Sequence, residues 1–556
     1  MTQLFFLENL EMLEKLLKLC NDFGQLSGAK LNLEKCKGMP MKFENVKNVS
    51  IIKMEKGPEK LLGVHVGKNV NSELYWQGKI QRLHETLSVW KMRDLSLQGR
   101  VYLLKSIGLS SILYEMEMKE MNCNVINKIN KIMFGFLWNN KRPLVKREVT
   151  YLPRIQGGLD MFDLETIIKV KRIKFVIRVL RKNLDESWKL IPLKYFRKLD
   201  SKFGVNYFLL KTTDGTKMIH QLDIPQFYRE CLLYFQEFLR KTNIFSDMNE
   251  IIWCNKRLED AIALPYWSKR GLVSVSDIIK QDGGLKEEEI SQILTRYPGL
   301  FFDMVRLKHC LPSEWKEENA YQEKICVSDL RPEDILNLEI KINDKGKIKK
   351  VCDLTSKELY SILMSKKVIK VKSFQYWEEK YPEISFHWND YFMFNLKNKL
   401  MSRIIIDFNF KIFHGVINTE KRLLLMKLSN GKCVHCTEIE NLEHLFVRCD
   451  GLDLFWRNVE SFIKIIVPNL VLNDIIKTLG IVNKEFQRDK CQIVSFLIAL
   501  GRYVIWKRRN FVKYEGKNLD IQQTIIWYKQ YLIHCLNVLF NFEKGLKYKE
   551  FLIDLI

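Results

Sequence analysis

Four residues carry the most specific chemical signal in the chain. Cys433, Cys436, His444 and Cys449 stand in the spacing C-x2-C-x7-H-x4-C within GKCVHCTEIENLEHLFVRC. Three thiolates and one imidazole are a donor set for tetrahedral structural zinc, and the two-residue gap lets one tight turn present the first two sulfurs to the same ion. All four positions are then filled by protein, so the expected Zn2+ is structural and has no open site for chemistry. Three thiolates against a divalent cation leave one net negative charge, which Lys432 and Arg448 beside the ligands would offset. His435, inside the Cys-x2-Cys loop, is an alternative ligand; its expected place is facing solvent. Leu445, Phe446 and Val447 are expected to pack beneath the site. Chance co-occurrence competes poorly, since a Cys-x2-Cys and a His-x4-Cys meet here in a chain with only 9 His.

The second signal is charge. Lys and Arg number 90 against 66 Asp and Glu, a net +24 over 556 residues, which points to a polyanionic partner. The excess is local: residues 141–182 hold 12 basic and 4 acidic side chains, a net +8. Lys141, Arg142, Lys146 and Arg147 open this run. Lys171, Lys174, Arg178 and Arg181 follow at helical spacing, opposite an apolar stripe of Ile173, Val176, Ile177 and Leu180. One face would pack and the other would track phosphates. A charge run alone is more often just a solvated helix face, but solubility does not call for so one-signed an excess. Further basic clusters stand at Lys345–Lys350, Lys366–Lys372 and Lys507–Arg509; Trp506 and Phe511 beside the last are either a stacking platform or core residues.

These groups need elements to hold them. Hydrophobic residues at 47% exclude a wholly disordered basic chain, and 26 Gly with 12 Pro leave few turns, which favours long helices and argues against an all-β fold. The length suggests roughly three to four folding units. Periodicity predicts a helix over 7–23, a short alternating segment over Lys30–Leu33, and a strand pair around Gly63 in Leu61–Val66. Helices are predicted over 76–92, 97–108, 124–138 and 163–182, and again from Ser356 onward, with Asp344–Lys350 a polar loop. The N-terminus lacks the pattern of a secretory signal. The apolar stretch Ile493–Gly501 is too short to span a bilayer and is expected as a buried helix. A soluble, intracellular protein is expected, in cytoplasm or nucleus and without membrane contact, with most of its 13 Cys acting as small hydrophobes.

The order of segments resembles the C-terminal part of the reverse transcriptase polyprotein of LINE-type (non-LTR) retrotransposons. FGQLSGAKLNLEKCKGMPM (Phe23–Met41) resembles the palm segment after the catalytic strand, and KLLGVHVG (Lys60–Gly67) the primer-grip hairpin. Tyr75–Met118 resembles the thumb helices, with Trp90, Leu97, Gly99, Arg100 and Lys105 in register. FLWNNKRPLVKREVTYLPRIQGGLDMFDL (Phe136–Leu164) is similar too, and Asp407–Cys449, with Lys411, His414, Thr419 and Arg422, resembles the zinc-binding region.

The resemblance implies a mainly α chain with a small α+β palm remnant (1–70), a thumb-like helix bundle (71–185), a mixed, mostly helical middle (186–400), a zinc-binding module (401–460) and C-terminal helices (461–556). It implies RNA or DNA as partner, a template-primer or element RNA, with Arg100 and Lys105 joining the basic contacts. Polymerisation in that family would use two Mg2+ held by palm carboxylates, one of them in a Tyr-x-Asp-Asp turn. This chain has no Asp-Asp dipeptide. Met1–Phe6 resemble the residues just after that turn, so the expectation is a truncated element that binds nucleic acid and does not polymerise alone. Mg2+ would enter only if the chain were joined to the catalytic palm. The alternatives are a piece of an active RNA-directed DNA polymerase, or a host-used helical interaction protein.

Overall fold

The computed structural model describes residues 5, 7, 10–39, 52–54, 59–61, 64–66, 72–181, 187–242, 249–259, 262–280, 283–312, 315, 332–337, 339–341, 348–365, 367, 369–481 and 487–540. The fold is mainly helical, as composition and periodicity predict; among the described residues the sheets are three two-stranded pairs. Two compact units divide the chain, one of Met1–Thr86 with Ser111–Ile129, the other of Leu87–Ser110 with Asn130–Ile556.

In the first unit the helix Leu10–Ser27 starts the chain. The predicted Lys30–Leu33 strand does not form: Asn32 accepts a hydrogen bond from the Lys35 amide and starts a 3-10 turn over Leu33–Lys35. Lys37–Gly38 pairs in parallel with Lys53–Met54, and Glu59–Leu61 pairs antiparallel with Val64–Val66, which places the expected hairpin; Gly63 itself lies outside the described residues. Trp76 fixes the helix Ser72–Lys91, since its ring is buried and its Nε1 donates to the Glu120 carbonyl at 2.9 Å.

The second unit has the helix Leu164–Leu180 at the centre of one core. Its apolar positions meet the helices Gln226–Thr242 and Ser356–Ser365, and the same cluster of buried side chains runs on from Val170 to Leu363. The boundary expected at 185/186 therefore does not separate two cores. Buried charge locks this contact: Arg172, 1% exposed, pairs with Glu230 at 3.0 Å and lies over the Phe227 ring, while Lys169 reaches Glu237 at 2.6 Å. Ile348–Lys350, expected as loop, is a strand paired with Glu339–Lys341; Lys345–Lys347 and Lys366 lie outside the described residues.

The C-terminal part is built on the helix Arg488–Glu515, which includes the apolar stretch Ile493–Gly501 and packs against Trp388–Asn395, Arg403–Phe413, Leu452–Ile466 and Ile521–Phe540. Ser96, Ser402, Thr419 and Asn473 cap the helices that follow them by accepting a backbone N–H, which satisfies donors otherwise orphaned at a helix start. The stretch predicted as one helix over 97–108 is α-helical over Leu97–Leu103, widens to a π-turn over Leu104–Leu109, and continues as Ser110–Met118.

The Gly157-Gly158 pair shows how tightly this part is closed. Gly157 has φ +77°, and a Cβ there would stand 2.9 Å from the Phe413 ring; at Gly158 it would stand 2.0 Å from the Leu152 carbonyl oxygen. Gly158→Ala should thus cost about 2–4 kcal/mol, lowering the urea midpoint. Gly78→Ala, in an exposed helical position with open space around it, should instead gain up to about 1 kcal/mol. Equal midpoints for the two variants would refute this account of the loop.

Candidate metal centre and basic face

A short hairpin begins the metal centre. Lys432 and Ile439 form an antiparallel bridge, the Cys433 amide donates to the Glu438 carbonyl at 2.8 Å, and the turn between them carries Cys433 and Cys436. Asn441 then accepts from the His444 amide at 2.8 Å and starts the helical turn His444–Arg448, after which the Cys449 amide bonds the His444 carbonyl at 2.9 Å. Leu445, Phe446 and Val447 are buried beneath, and Trp456 anchors the turn by donating from Nε1 to the Phe446 carbonyl.

These elements bring together the four residues that the spacing singled out. Cys433 Sγ lies 3.7 Å from Cys449 Sγ, Cys436 Sγ lies 3.2 Å from His444 Nε2, and all four ligand atoms fall within 4.8 Å of one another. The cluster can hold a metal ion. The hydrogen bond from Cys449 pulls the Cys433 thiol well below its ordinary pKa and raises that of Cys449, so the first proton to leave is shared by a pair already poised for a cation.

Two expectations about the surroundings are corrected. His435 is not in the cluster and is not solvent-facing: it is half-buried, its Nε2 is shut off from water, and burial, with Arg508 beside it, pushes its imidazole down to about 4. Lys432 and Arg448 are exposed, and Arg448 stands 3.8 Å from Glu443, so neither is buried with the sulfurs. The cation that is buried near them is Arg508, from the long helix.

That helix also takes Arg508 and Arg509 out of the basic cluster Lys507–Arg509, leaving Lys507 exposed. Arg509 is 1% exposed and is shared between Glu420 and Glu440, reaching the latter at 3.0 Å; Lys513 adds a second bond to Glu420. Trp506 packs against Phe408, and Phe511 against Trp527, so both aromatics are core. Sequence reasoning missed the carboxylate partners. The available signal was the seven-residue interval from Arg502 to Arg509, two helical turns that continue one buried stripe.

The ten basic residues named for phosphate contact separate into two groups. Arg100 donates to the carbonyls of Leu95 and Phe136 at 3.1 and 3.2 Å, and Lys105 pairs with Asp160 at 2.8 Å. Lys174 donates to the Leu354 carbonyl and Arg181 to that of Cys352, while Arg178 lies over Phe175 and Trp188 and Lys171 is half-buried. The stripe of this helix is therefore only partly open: Lys174 and Arg181 each spend a donor on the 352–354 backbone, while Arg178 and Arg181 stay exposed. Lys141, Arg142, Lys146 and Arg147 remain exposed, with Arg147 resting on the Phe134 ring at 4.5 Å.

His414 and Arg422, far from that loop in sequence, meet it in space. His414 Nε2 bonds the Gly157 carbonyl at 2.8 Å and its Nδ1 meets Ser373 Oγ at 3.0 Å, which assigns the proton to Nε2. Arg422 donates to the Gly415 carbonyl at 2.7 Å; burial lowers its pKa, and the nearby Arg142 lowers it further. Asp407 accepts from the Leu97 amide at 2.5 Å, joining the same region to the helix Leu97–Leu103. No family model matches the chain. No helix among the described residues is long and apolar enough to cross a membrane.

Burial pushes the His414 imidazole down from its ordinary value near 6.5 to about 4, so the folded state holds the ring neutral while the unfolded chain protonates it. Its contribution to stability is whole above pH 6.5 and is lost as pH falls toward 4, about 3 kcal/mol in all. Urea midpoints at pH 7 and pH 5 should diverge more for the native chain than for His414→Gln. Identical acid sensitivity in the two proteins would exclude this role.

Proposed function

We propose that the chain is the nucleic-acid-binding, thumb and zinc-bearing segment of a LINE-type reverse transcriptase, and that it holds RNA or a template-primer without catalysing polymerisation itself. The observation that carries this reading is the exposed basic loop Lys141–Arg147, which stands beside Arg422 and ahead of the Gly157–His414 contact. Two segments more than 250 residues apart, each supporting the resemblance, thus meet at the His414–Gly157 bond, and Arg422 of the later one lies in the field of Arg142. The loop has the chemistry of a backbone reader: four cations with no carboxylate partner among the described residues, set on a turn rather than in a cleft. Their contacts would displace condensed counterions from phosphate and carry little sequence information.

The metal reading is zinc. A tetrahedral ion with Zn–S bonds of about 2.3 Å sets its sulfurs about 3.8 Å apart, and the 3.7 Å between Cys433 and Cys449 fits that edge. Cys436 and His444 complete the set, and bound zinc would supply folding free energy rather than chemistry. Arg100, Lys105, Lys174 and Arg181 position the frame in this reading, and Lys141, Arg142, Lys146 and Arg147 do the binding. Magnesium has no role here, because the chain contains no Asp-Asp pair to hold it at a polymerase centre.

Binding to a 20-nucleotide single-stranded RNA should weaken steeply between 50 and 200 mM salt, and the joint replacement of Lys141, Arg142, Lys146 and Arg147 by Gln should flatten the log–log slope by roughly 3. A salt-independent affinity would overturn the reading, and primer extension by the purified chain should stay at background. Metal analysis should find one zinc per chain, and Cys449→Ser should abolish it and expose residues 430–450 to proteolysis. Zinc-free protein from a chelator-free preparation would defeat the assignment.

A further inference from the structure

The helix Glu420–Leu425 ends in a turn that leaves its apolar residues facing outward. The Lys427 amide donates to the Leu424 carbonyl at 2.8 Å and the Leu428 amide to the Leu423 carbonyl at 2.9 Å, the paired bonds of a Schellman cap. In such a cap the residue after the left-handed position commonly packs back on the helix. Leu428 does not: it is 72% exposed, Leu425 is 80% exposed, and Leu424 and Met426 are exposed beside them. The left-handed position itself is held by Lys427, with φ +59°, where glycine would carry no Cβ penalty. A non-glycine residue there is strained, and such strain gathers at binding and switch sites.

The turn is tied down on every side. Ser429 donates to Glu420 and accepts from the Gly431 amide at 3.1 Å, the Lys432 amide donates to Asn430 at 3.0 Å, and the Lys421 amide donates to the Glu440 carbonyl at 3.0 Å. Helix, turn and hairpin edge therefore form one preorganised ledge. Its charge is one-sided. Among residues 420–440 the acids are Glu420, Glu438 and Glu440; the first and last are buried against Arg509, which leaves Glu438 alone at the surface. Lys421, Lys427 and Lys432 are all exposed. Lys421 precedes Leu424 and Leu425 by three and four residues, so it shares their helix face.

We infer that the ledge Lys421–Leu428 is a docking surface for an acidic amphipathic helix of a partner protein. Leu425 and Leu428 anchor the partner's apolar stripe, and the lysines around them meet the carboxylates that flank it. The alternative of stacked bases fits less well, because such surfaces use aromatic rings and no Phe, Tyr or Trp occurs among residues 420–440. Since the ledge is already held by its own hydrogen bonds, docking costs it little ordering. Lys427 then supplies charge at the one place where the fold alone would favour glycine.

The probe is a fluorescein-labelled synthetic peptide of about 20 residues, with Leu at i, i+3, i+4 and i+7 and Glu on the other face, titrated with the full chain and read by anisotropy. A scrambled peptide of the same composition controls for charge alone. The ordered peptide should bind at least about tenfold more tightly than the scrambled one, and the joint change Leu425→Ser, Leu428→Ser should remove that difference. Lys427→Gly separates binding from folding: it should weaken the ordered peptide by about threefold while raising the urea midpoint, since glycine relieves the left-handed position. Equal affinity for the two peptides, an unchanged double leucine variant, or full binding by Lys427→Gly would each overturn the inference. Binding to single-stranded RNA should be the same for the native chain and the double leucine variant. Loss in that variant of RNA binding, of binding to phosphatidylcholine–phosphatidylserine vesicles, or of self-association in sedimentation would give the ledge to that occupant and overturn the inference as well.

Discussion

A guanidinium with 1% of its surface exposed cannot be left without carboxylates, and Arg509 has two, each from a different element. Glu420 opens the helix Glu420–Leu425, and Glu440 closes the hairpin that carries the first two metal ligands. Glu440 also accepts from the Glu420 amide at 2.9 Å, and its carbonyl from the Lys421 amide at 3.0 Å, so the two acids are fixed to each other as well as to the arginine. Removing one member of such a buried set would strand the others at a cost of about 3–5 kcal/mol. The metal hairpin, the start of the preceding helix Glu420–Leu425 and the helix Arg488–Glu515 are thus one mechanical piece, and Arg509 holds the base of the hairpin that carries the first two ligands.

The same bookkeeping of charge redistributes the basic excess. Arg172 and Arg509 are salt-bridged in the interior, Arg508 donates to the Leu519 carbonyl, and Arg502, with no exposure at all, is bound by the side chains of Asn395 and Asn409 and the carbonyl of Thr478. Guanidinium suits these places because its planar fork can satisfy several acceptors at once without losing its charge. A net of +24 overstates the charge offered to a polyanion, since part of it is structural. What is left is spread over exposed cations such as Lys432, Arg448 and Lys507, with the loop Lys141–Arg147 adding four within seven residues.

This explains which features could be read from sequence. Metal-ligand spacing is a local geometric constraint, and Cys433, Cys436, His444 and Cys449 converge as their intervals require. Helical periodicity is equally local, so the helices predicted over 76–92, 124–138 and 163–182 fall within a few residues of their ends, while the one predicted over 97–108 runs on to Met118. Which neighbour covers a helix face is not local. Lys174 and Arg181 have the spacing of a solvated stripe, and only the packing of residues 352–365 against them turns their donors inward. The same holds for Arg509, whose partners lie 69 and 89 residues earlier. Lys30–Leu33 failed for the opposite reason: alternation over four residues is weaker than one Asn side chain capping a turn.

Arg100 shows how a cation can serve a binding surface without touching the ligand. It donates to the carbonyl of Phe136 in the last turn of the helix Cys123–Leu137, where orphan acceptors and the negative end of the helix dipole favour a positive charge. The chain then leaves through Asn139 and Asn140, both left-handed with φ of 53° and 56°, and the Asn140 amide returns to the Gly135 carbonyl at 2.7 Å. Asparagine tolerates that conformation better than most residues. The sharp reversal ends directly at Lys141. The helix end, its arginine cap and the paired asparagines therefore fix where the exposed loop begins, while the contact of His414 with Gly157 secures the far side. A loop whose start is fixed by these hydrogen bonds and which runs straight into the helix Arg147–Tyr151 can present four cations at set positions, so binding a phosphate backbone would cost it little ordering entropy.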